Sequence, residues 1–356
     1  MTKVLIVDDS VVFRTAISQA LENVNGLEIF KAVSNGKIAI DFLKSNSDID
    51  LITLDMEMPV LDGLETIKEI RKFNKDVKII VFSSQTVSGA EKTIDALSSG
   101  ANDFVSKTES EGTIERSIEL IRETLIPKIE AIVSNHISRE VAEKKLEVFQ
   151  ESGAGVIELD QALEKVLIKP KLIVVGCSTG GPDALTQVFS SIKGKISIPI
   201  LIVQHMPPVF TAKLASMLDK LSQVNVKEAK VGDRLSPGVC YLAPGDYHMF
   251  LKKDLTLGLN QEEKVCYVRP AVDVLFNSVA ENFKDQVLSI VLTGMGEDGA
   301  NGCTTLSKNG AYQFIQDEES SIVWGMPGAV NSRGIGATVV HLSSIGELIS
   351  EISERV

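Results

Sequence analysis

Val4-Leu5-Ile6-Val7-Asp8-Asp9-Ser10 is a run of four apolar residues that ends abruptly in two acids and a serine. A strand covered on both faces by helices shows no alternation, so a short unbroken apolar run is how a strand of a parallel sheet reads. Working outward, the pattern recurs at Leu27–Val33, Leu51–Leu54, Lys78–Phe82 and Asp103–Val105. Helical-period segments such as Gly63–Lys72 and Gly89–Ser99 lie between these runs. Five such units predict a doubly wound, five-stranded parallel sheet with helices on both faces. In sheets of that kind the working groups collect at the carboxyl ends of the strands.

These units fill only the first third of the 356 residues. At roughly 150 residues per domain, a chain of this length is expected to hold two or three domains. Hydrophobic residues make up 44% and charged residues 24%, a balance that excludes wholesale disorder. Lys and Arg total 36 against 48 Asp and Glu, a formal net charge of -12. Such a chain repels a phosphate backbone overall, which argues against a nucleic-acid partner. No apolar run approaches the roughly 20 residues of a membrane span, and the first run is too short for a signal-peptide core. Cys177, Cys240, Cys266 and Cys303 are scattered without a CxxC pair, as expected of reduced thiols in a cytoplasmic protein.

The stretch 126–165 reads as a last helix running into a linker, with Glu151-Ser152-Gly153-Ala154-Gly155 as its flexible part. A second α/β pattern follows, over 166–356. Leu172-Ile173-Val174-Val175, Ile198–Val203 and Val287–Leu292 are its buried-strand runs, and Gly238–Pro244 and Leu255–Leu259 read as shorter strands. A second doubly wound, mainly parallel sheet is expected.

Asp8, Asp9, Asp55, Ser83 and Lys107 all stand at predicted strand ends in the first domain. Three carboxylates in one crevice repel each other unless a hard cation such as Mg²⁺ joins them. With that cation and the Lys107 ammonium as a screen, Asp55 can attack a phosphoryl group, and the Ser83 hydroxyl can bond the new oxygens. Across about residues 1–125 the chain resembles a response-regulator receiver domain. The matching pieces are Val7-Asp8-Asp9-Ser10, Leu54-Asp55-Met56-Glu57-Met58-Pro59, Ser83-Ser84 and Lys107 after Phe104-Val105-Ser106. The resemblance implies phosphorylation of Asp55 by a partner histidine kinase. It also implies a metal site of Asp8 or Asp9, Asp55 and the backbone carbonyl of Glu57. Phe104 stands where that family often has an aromatic switch residue, and a plain core aromatic fits it equally well.

In the second domain Gly176-Cys177-Ser178-Thr179-Gly180 matches G-x-S-x-G between a strand and a helix, a sharp turn that exposes a serine hydroxyl. A dinucleotide site is excluded, because Ser178 replaces the second glycine and Gln204-His205, not an acid, closes the next strand. His205 and Asp298 each follow a strand, so a serine, a base and an acid to fix its tautomer are all present. Their order departs from the α/β-hydrolase, chymotrypsin and subtilisin orders, which argues against those folds and not against the chemistry. His136, His248 and His341 read as linker, turn and late-strand residues respectively.

Taken with Gln204-His205-Met206-Pro207, Leu242-Ala243-Pro244-Gly245 and Leu292–Gly299, the chain resembles the chemotaxis protein-glutamate methylesterase (CheB) family over nearly its whole length. That resemblance implies a flavodoxin-like receiver joined to a doubly wound, mainly parallel α/β catalytic domain that acts as a hydrolase. The hydrolase cleaves γ-glutamyl methyl esters on methyl-accepting chemoreceptors, releases methanol and deamidates certain glutamines. It makes Ser178 the nucleophile, His205 the general base and acid, and Asp298 the orienting carboxylate. The Met295 amide helps hold the oxyanion, with Thr179 beside the nucleophile. It further implies that the unphosphorylated receiver covers the catalytic crevice, that Mg²⁺ serves phosphorylation, and that ester hydrolysis needs no cofactor. Cys177 stands where alanine is common and reads as a small buried side chain. The alternative is a phospho-dependent binding protein without turnover. A DNA-binding output is disfavoured, because residues 126–356 hold 22 Lys and Arg against 27 Asp and Glu.

Overall fold

The computed structural model describes residues 1–107, 114–145, 155–283 and 286–355. The chain divides into two compact units, Met1–Phe149 and Gln150–Val356.

The first unit alternates β1 (Thr2–Val7), α1 (Val11–Leu21), β2 (Leu27–Val33), α2 (Gly36–Ser45), β3 (Leu51–Asp55), α3 (Gly63–Arg71), β4 (Lys78–Ser84), α4 (Val87–Ser98), β5 (Asp103–Lys107) and α5 (Ile114–Lys145). Side chains written into the sequence start the helices: Ser10, Asn35, Asp62 and Thr86 each accept a backbone N–H from the first turn. The sheet order is β2-β1-β3-β4-β5, all parallel, as expected. Strand order reverses around β1, so the crevice opens between β1 and β3, where Asp8 and Asp55 stand. β4 and β5 run further than their apolar runs, because Ser83 pairs with Ser106 and Ser84 with Lys107. Ser83 and Lys107 are therefore strand residues with fixed backbones. α5 is continuous through Pro127 to Lys145 and buries Ile121, Leu125, Ile129 and Ile132. Of the expected flexible stretch only Gly155 lies inside the described residues.

The second unit begins with α6 (Leu159–Lys165) and continues β6 (Leu172–Cys177), α7 (Gly181–Ser191), β7 (Ile200–Gln204), α8 (Phe210–Leu221), β8 (Asn225–Glu228), β9 (Val239–Leu242), β10 (His248–Leu251), β11 (Leu257–Asn260) and α9 (Val272–Asn282). It ends with β12 (Val287–Val291), α10 (Ala300–Lys308), β13 (Tyr312–Gln316), α11 (Gly325–Asn331), β14 (Thr338–Val340) and α12 (Leu342–Glu354). Seven strands form one parallel sheet in the order β14-β13-β12-β6-β7-β9-β8, and β10 with β11 forms an antiparallel hairpin. β6, β7 and β12 are buried at every position, which is why their apolar runs are unbroken. Leu172, Val174, Leu201, Val203, Val272, Phe276 and Val291 belong to one core cluster. Each such side chain stabilises the fold by roughly 1.5–3 kcal/mol relative to exposure. The sheet reverses direction around β6, so the ends of β12, β6 and β7 form the second crevice.

Two histidines sit differently from their sequence reading. The turn before His248 closes at Asp246, with φ 63°, so His248 opens β10 and is buried. His341 is the N-cap of α12 and accepts the Ser343 N–H, where an apolar strand residue was expected.

Candidate functional sites

Asp8 and Asp55 are buried at the end of the first sheet, and Asp9 is exposed beside them. One carboxylate oxygen from each of the three lies within 4.8 Å of the others. Lys107 Nζ reaches both buried acids, at 3.1 Å from Asp8 Oδ2 and 2.8 Å from Asp55 Oδ1. The Ser10 N–H donates to Asp8 Oδ1 at 2.8 Å, and the Glu57 N–H to Asp55 Oδ1 at 3.2 Å. One ammonium does not neutralise three carboxylates. Burial, followed by the charge of Asp55, pushes the Asp8 carboxyl up to about 6, against the pull of Lys107. An all-oxygen, electron-rich cluster of this kind fits a hard divalent cation.

The sign of the shift gives a testable consequence. Asp8 binds its proton more tightly folded than unfolded, so without metal the first unit gains stability as pH falls from above about 6 towards its ordinary value of 3.8. A divalent cation removes the same repulsion and competes with that proton. Mg²⁺ therefore raises the melting temperature clearly at pH 7.5 and little at pH 5, as thermal melts of the full chain would register. Equal increments at both values would remove the cation from this cluster.

Ser83 Oγ donates to the Gly89 carbonyl at 3.1 Å, which ties the end of β4 to the start of α4. Phe104 is buried in β5, with the Lys128 ammonium 5.8 Å from its ring centre.

The second crevice is built from the ends of β6 and β7. Cys177 pairs with Gln204 across these parallel strands, so the next residues, Ser178 and His205, are set side by side. The His205 N–H donates to the Cys177 carbonyl at 3.1 Å, and the Ser178 N–H to the Thr293 carbonyl at 3.0 Å. Gly180 then takes a left-handed conformation, φ 77°, and starts α7. That conformation needs a glycine and turns the chain sharply behind Ser178. His205 Nε2 lies 2.7 Å from Asp298 Oδ2, and both side chains are almost wholly buried. Asp298 is in turn fixed by the first amides of α9: Val272 N donates to Oδ2 at 2.6 Å and Asp273 N to Oδ1 at 2.9 Å. Helix-terminal N–H donors favour the ionised carboxylate.

The structure thus joins His205 to Asp298 and sets Ser178 next to them, with no hydrogen bond from the Ser178 hydroxyl to His205 among the described residues. Such bonds often tighten only around substrate. The Thr179 carbonyl accepts Thr293 Oγ1 at 3.0 Å, which fixes the residue after the serine. Gly294 donates to Val323 O at 2.9 Å and accepts from Met326 N at 2.8 Å, so the loop is pinned just before the half-exposed Met295. Cys177 is fully buried, with Sγ 3.7 Å from the Val203 carbonyl, and burial pushes its thiol far up, away from the reactive thiolate.

The roles of two residues escape a reading of the sequence, although Gln204 stands in a motif quoted above. Gln204 Nε2 donates to the carbonyls of Ser178, at 2.9 Å, and His205, at 3.2 Å, and so clamps both chain segments. Asp273 lies beneath Asp298. Only tertiary contact shows what either of them does.

Residues 173–349 match the CheB methylesterase family, and residues 4–119 match the response regulator receiver domain. The protein-glutamate methylesterase/protein-glutamine glutaminase of Trichodesmium erythraeum (strain IMS101) is 39% identical, over 99% of this chain and 99% of its own. The protein of the same name from Nocardioides sp. (strain ATCC BAA-499 / JS614) is 39% identical, over 99% of this chain and 96% of its own. The crystal structure of the Thermotoga maritima CheB methylesterase catalytic domain is 38% identical, covering 52% of this chain and 100% of its own, with a TM-score of 0.49.

Proposed function

This chain belongs to the CheB methylesterase family, and from that membership we propose that Ser178, His205 and Asp298 hydrolyse γ-glutamyl methyl esters on methyl-accepting chemoreceptors. The protein is a hydrolase with methylesterase and glutaminase activity and a receiver domain. The single observation that carries the assignment is the 2.7 Å contact between His205 and Asp298 at the strand end beside Ser178.

The roles follow from the donors. Asp298 engages Nε2 of His205, so Nε2 carries the proton and Nδ1 keeps the lone pair. Nδ1 takes the hydroxyl proton as Ser178 Oγ attacks the ester carbonyl carbon. Asp298 stabilises the imidazolium that results. The oxyanion lies towards the Met295 amide and the positive end of α7. Collapse expels the methoxy group with the proton from His205 as methanol and leaves an acyl-serine. Water, deprotonated by the same nitrogen, then releases the glutamate. With a glutamine the leaving group is ammonia. The ester step asks for no cofactor.

In the receiver, Asp55 accepts the phosphoryl group from a chemotaxis histidine kinase. Asp8, Asp9, Asp55 and the Glu57 carbonyl would hold Mg²⁺, which would neutralise charge around the incoming phosphate. Lys107, bonded to both buried acids, is placed to follow that charge. Ser83 is the link to α4 through its bond to Gly89.

Methanol release from methylated receptor membranes, with and without a small phosphodonor and Mg²⁺, tests the reading. Release that the phosphodonor stimulates is expected, and receptor binding without release would replace the enzyme by a docking protein. A fragment sharpens the question. Its start belongs at residue 155, because Arg355 donates to the Leu163 and Val166 carbonyls and Ile157 N to Val339 O, so the second unit includes the segment before β6. Residues 155–356 should release methanol faster than the unphosphorylated full chain, since an inhibited population lowers apparent activity by its fraction. A folded fragment that is no faster would mean that phosphorylation builds activity instead of relieving inhibition.

A further inference from the structure

Asp298 meets a second buried carboxylate with no assigned role. Asp273 is the second residue of α9, the helix whose first amides hold Asp298. Its own side chain turns the other way. Oδ1 accepts Gly299 N at 3.0 Å and Gly302 N at 2.7 Å, and Oδ2 accepts Asn301 Nδ2 at 3.1 Å. These donors open α10, the helix that follows Asp298. The two acids therefore exchange helices: the acid preceding α10 caps α9, and the acid inside α9 caps α10. Gly299 makes the exchange possible, for its φ is 97° and a side chain there would run into Val272 at 2.9 Å. The three N–H donors suit an ionised Asp273, and a carboxylate so placed adds negative potential beneath the His205–Asp298 pair.

We propose that Asp273 is a positioning residue of the hydrolase, one that holds Asp298 in register through the exchanged caps and, by its charge, raises the basicity of His205. It does not touch the substrate. Other charged or titratable groups stand around the pair. His248, at the start of β10, accepts the Ala271 N–H at 3.2 Å, one residue before the amides that hold Asp298. Cys266 comes from the loop before α9, and Glu297, 3.6 Å from Arg333, comes from the loop before α10. Burial and then the charges of Asp298, Asp273 and Glu297 push the exposed Cys266 thiol up, in line with the negative charge gathered here. Burial likewise raises Asp273, with Asp298 a smaller cause in the same direction. Cys266, Asp273 and Asp298 bring donor atoms within 4.8 Å of each other, but the backbone amides already occupy the carboxylates, which is the arrangement of caps and not of a metal site.

The inference rests on His205 being the base with Asp298 as its partner. Asp273→Asn removes the charge and keeps an oxygen to accept the Gly299 and Gly302 amides, so it should fold. Its methanol-release profile should show the acid limb of kcat/KM displaced downwards by about 0.5–1 pH unit, because the imidazolium has lost a stabilising charge. kcat should fall about three- to tenfold with KM unchanged. Asp273→Glu and Asp273→Gln form a second pair, equal in length and different only in charge. The Gln member should show the lower limb whatever the altered length does to stability. An acid limb that stays in place in both neutral variants, whatever happens to rate or melting temperature, overturns the proposal and leaves Asp273 a structural cap. His205→Gln retaining activity would instead undo the assignment of the base, so the two failures are distinct.

Discussion

Methanol release falls about 10⁴- to 10⁶-fold in kcat when Ser178 is replaced by alanine, the scale on which a triad nucleophile is lost. Three features place the effect on this side chain. The elbow at Gly180 turns the chain behind Ser178, the Thr293 carbonyl fixes its amide, and strand pairing sets it beside His205. The neighbouring thiol gives the contrast. Cys177→Ala should leave most activity, because the thiol faces the Val203 carbonyl from inside the core and its deprotonated form is strongly disfavoured. The alanine fits the site and opens only a small void. Measured in parallel, the two variants separate a serine hydrolase from a thiol hydrolase, and the reverse pattern would reassign the nucleophile. Since Ser178 contributes no hydrophobic burial, the melting temperature of Ser178→Ala should stay close to that of the parent, which keeps a folding defect from imitating the loss.

The residues that carry the chemistry were legible because each closes a strand. Apolar runs locate strands, and in a parallel sheet the residue after a run sits at the crevice, so Asp8, Asp55, Ser178 and His205 could be placed before any contact was known. Elements held together by buried polar groups were not legible in this way. β13 reads Tyr-Gln-Phe-Ile-Gln, yet both glutamines are buried: Gln313 accepts from Ser289 Oγ, and Gln316 accepts the Thr293 amide at 2.8 Å. The partners stand more than 20 positions away, so no local pattern announces them. β8, Asn-Val-Lys-Glu, is an edge strand with alternate residues in solvent and no apolar run at all. The same limit hid Asp273 and Gln204, whose roles exist only as contacts between segments. It also hid which nitrogen of His205 meets Asp298, since that choice depends on where α9 begins relative to the end of β7.

Asp55→Asn should abolish formation of an alkali-labile acyl phosphate from a small phosphodonor and Mg²⁺, with loss of the phosphodonor's stimulation of methanol release and survival of a low basal rate. The carboxamide has no anionic oxygen to attack phosphorus, and it offers a weaker oxygen to a hard cation. The surrounding charges tell whether the variant has failed chemically or merely unfolded. Asp55 is, after burial, the next cause of the raised Asp8 carboxyl, so removing its charge lets Asp8 fall back towards the ordinary range. Lys107, which bridges both acids at 3.1 and 2.8 Å, then has one carboxylate to neutralise instead of two. The variant should accordingly be at least as stable as the parent in Mg²⁺-free buffer at pH 7, and should gain less from added Mg²⁺. A stable, well-folded Asp55→Asn chain that still forms the acyl phosphate would move the acceptor to another carboxylate of the cluster. Asp9, the exposed member, would then be the next to replace.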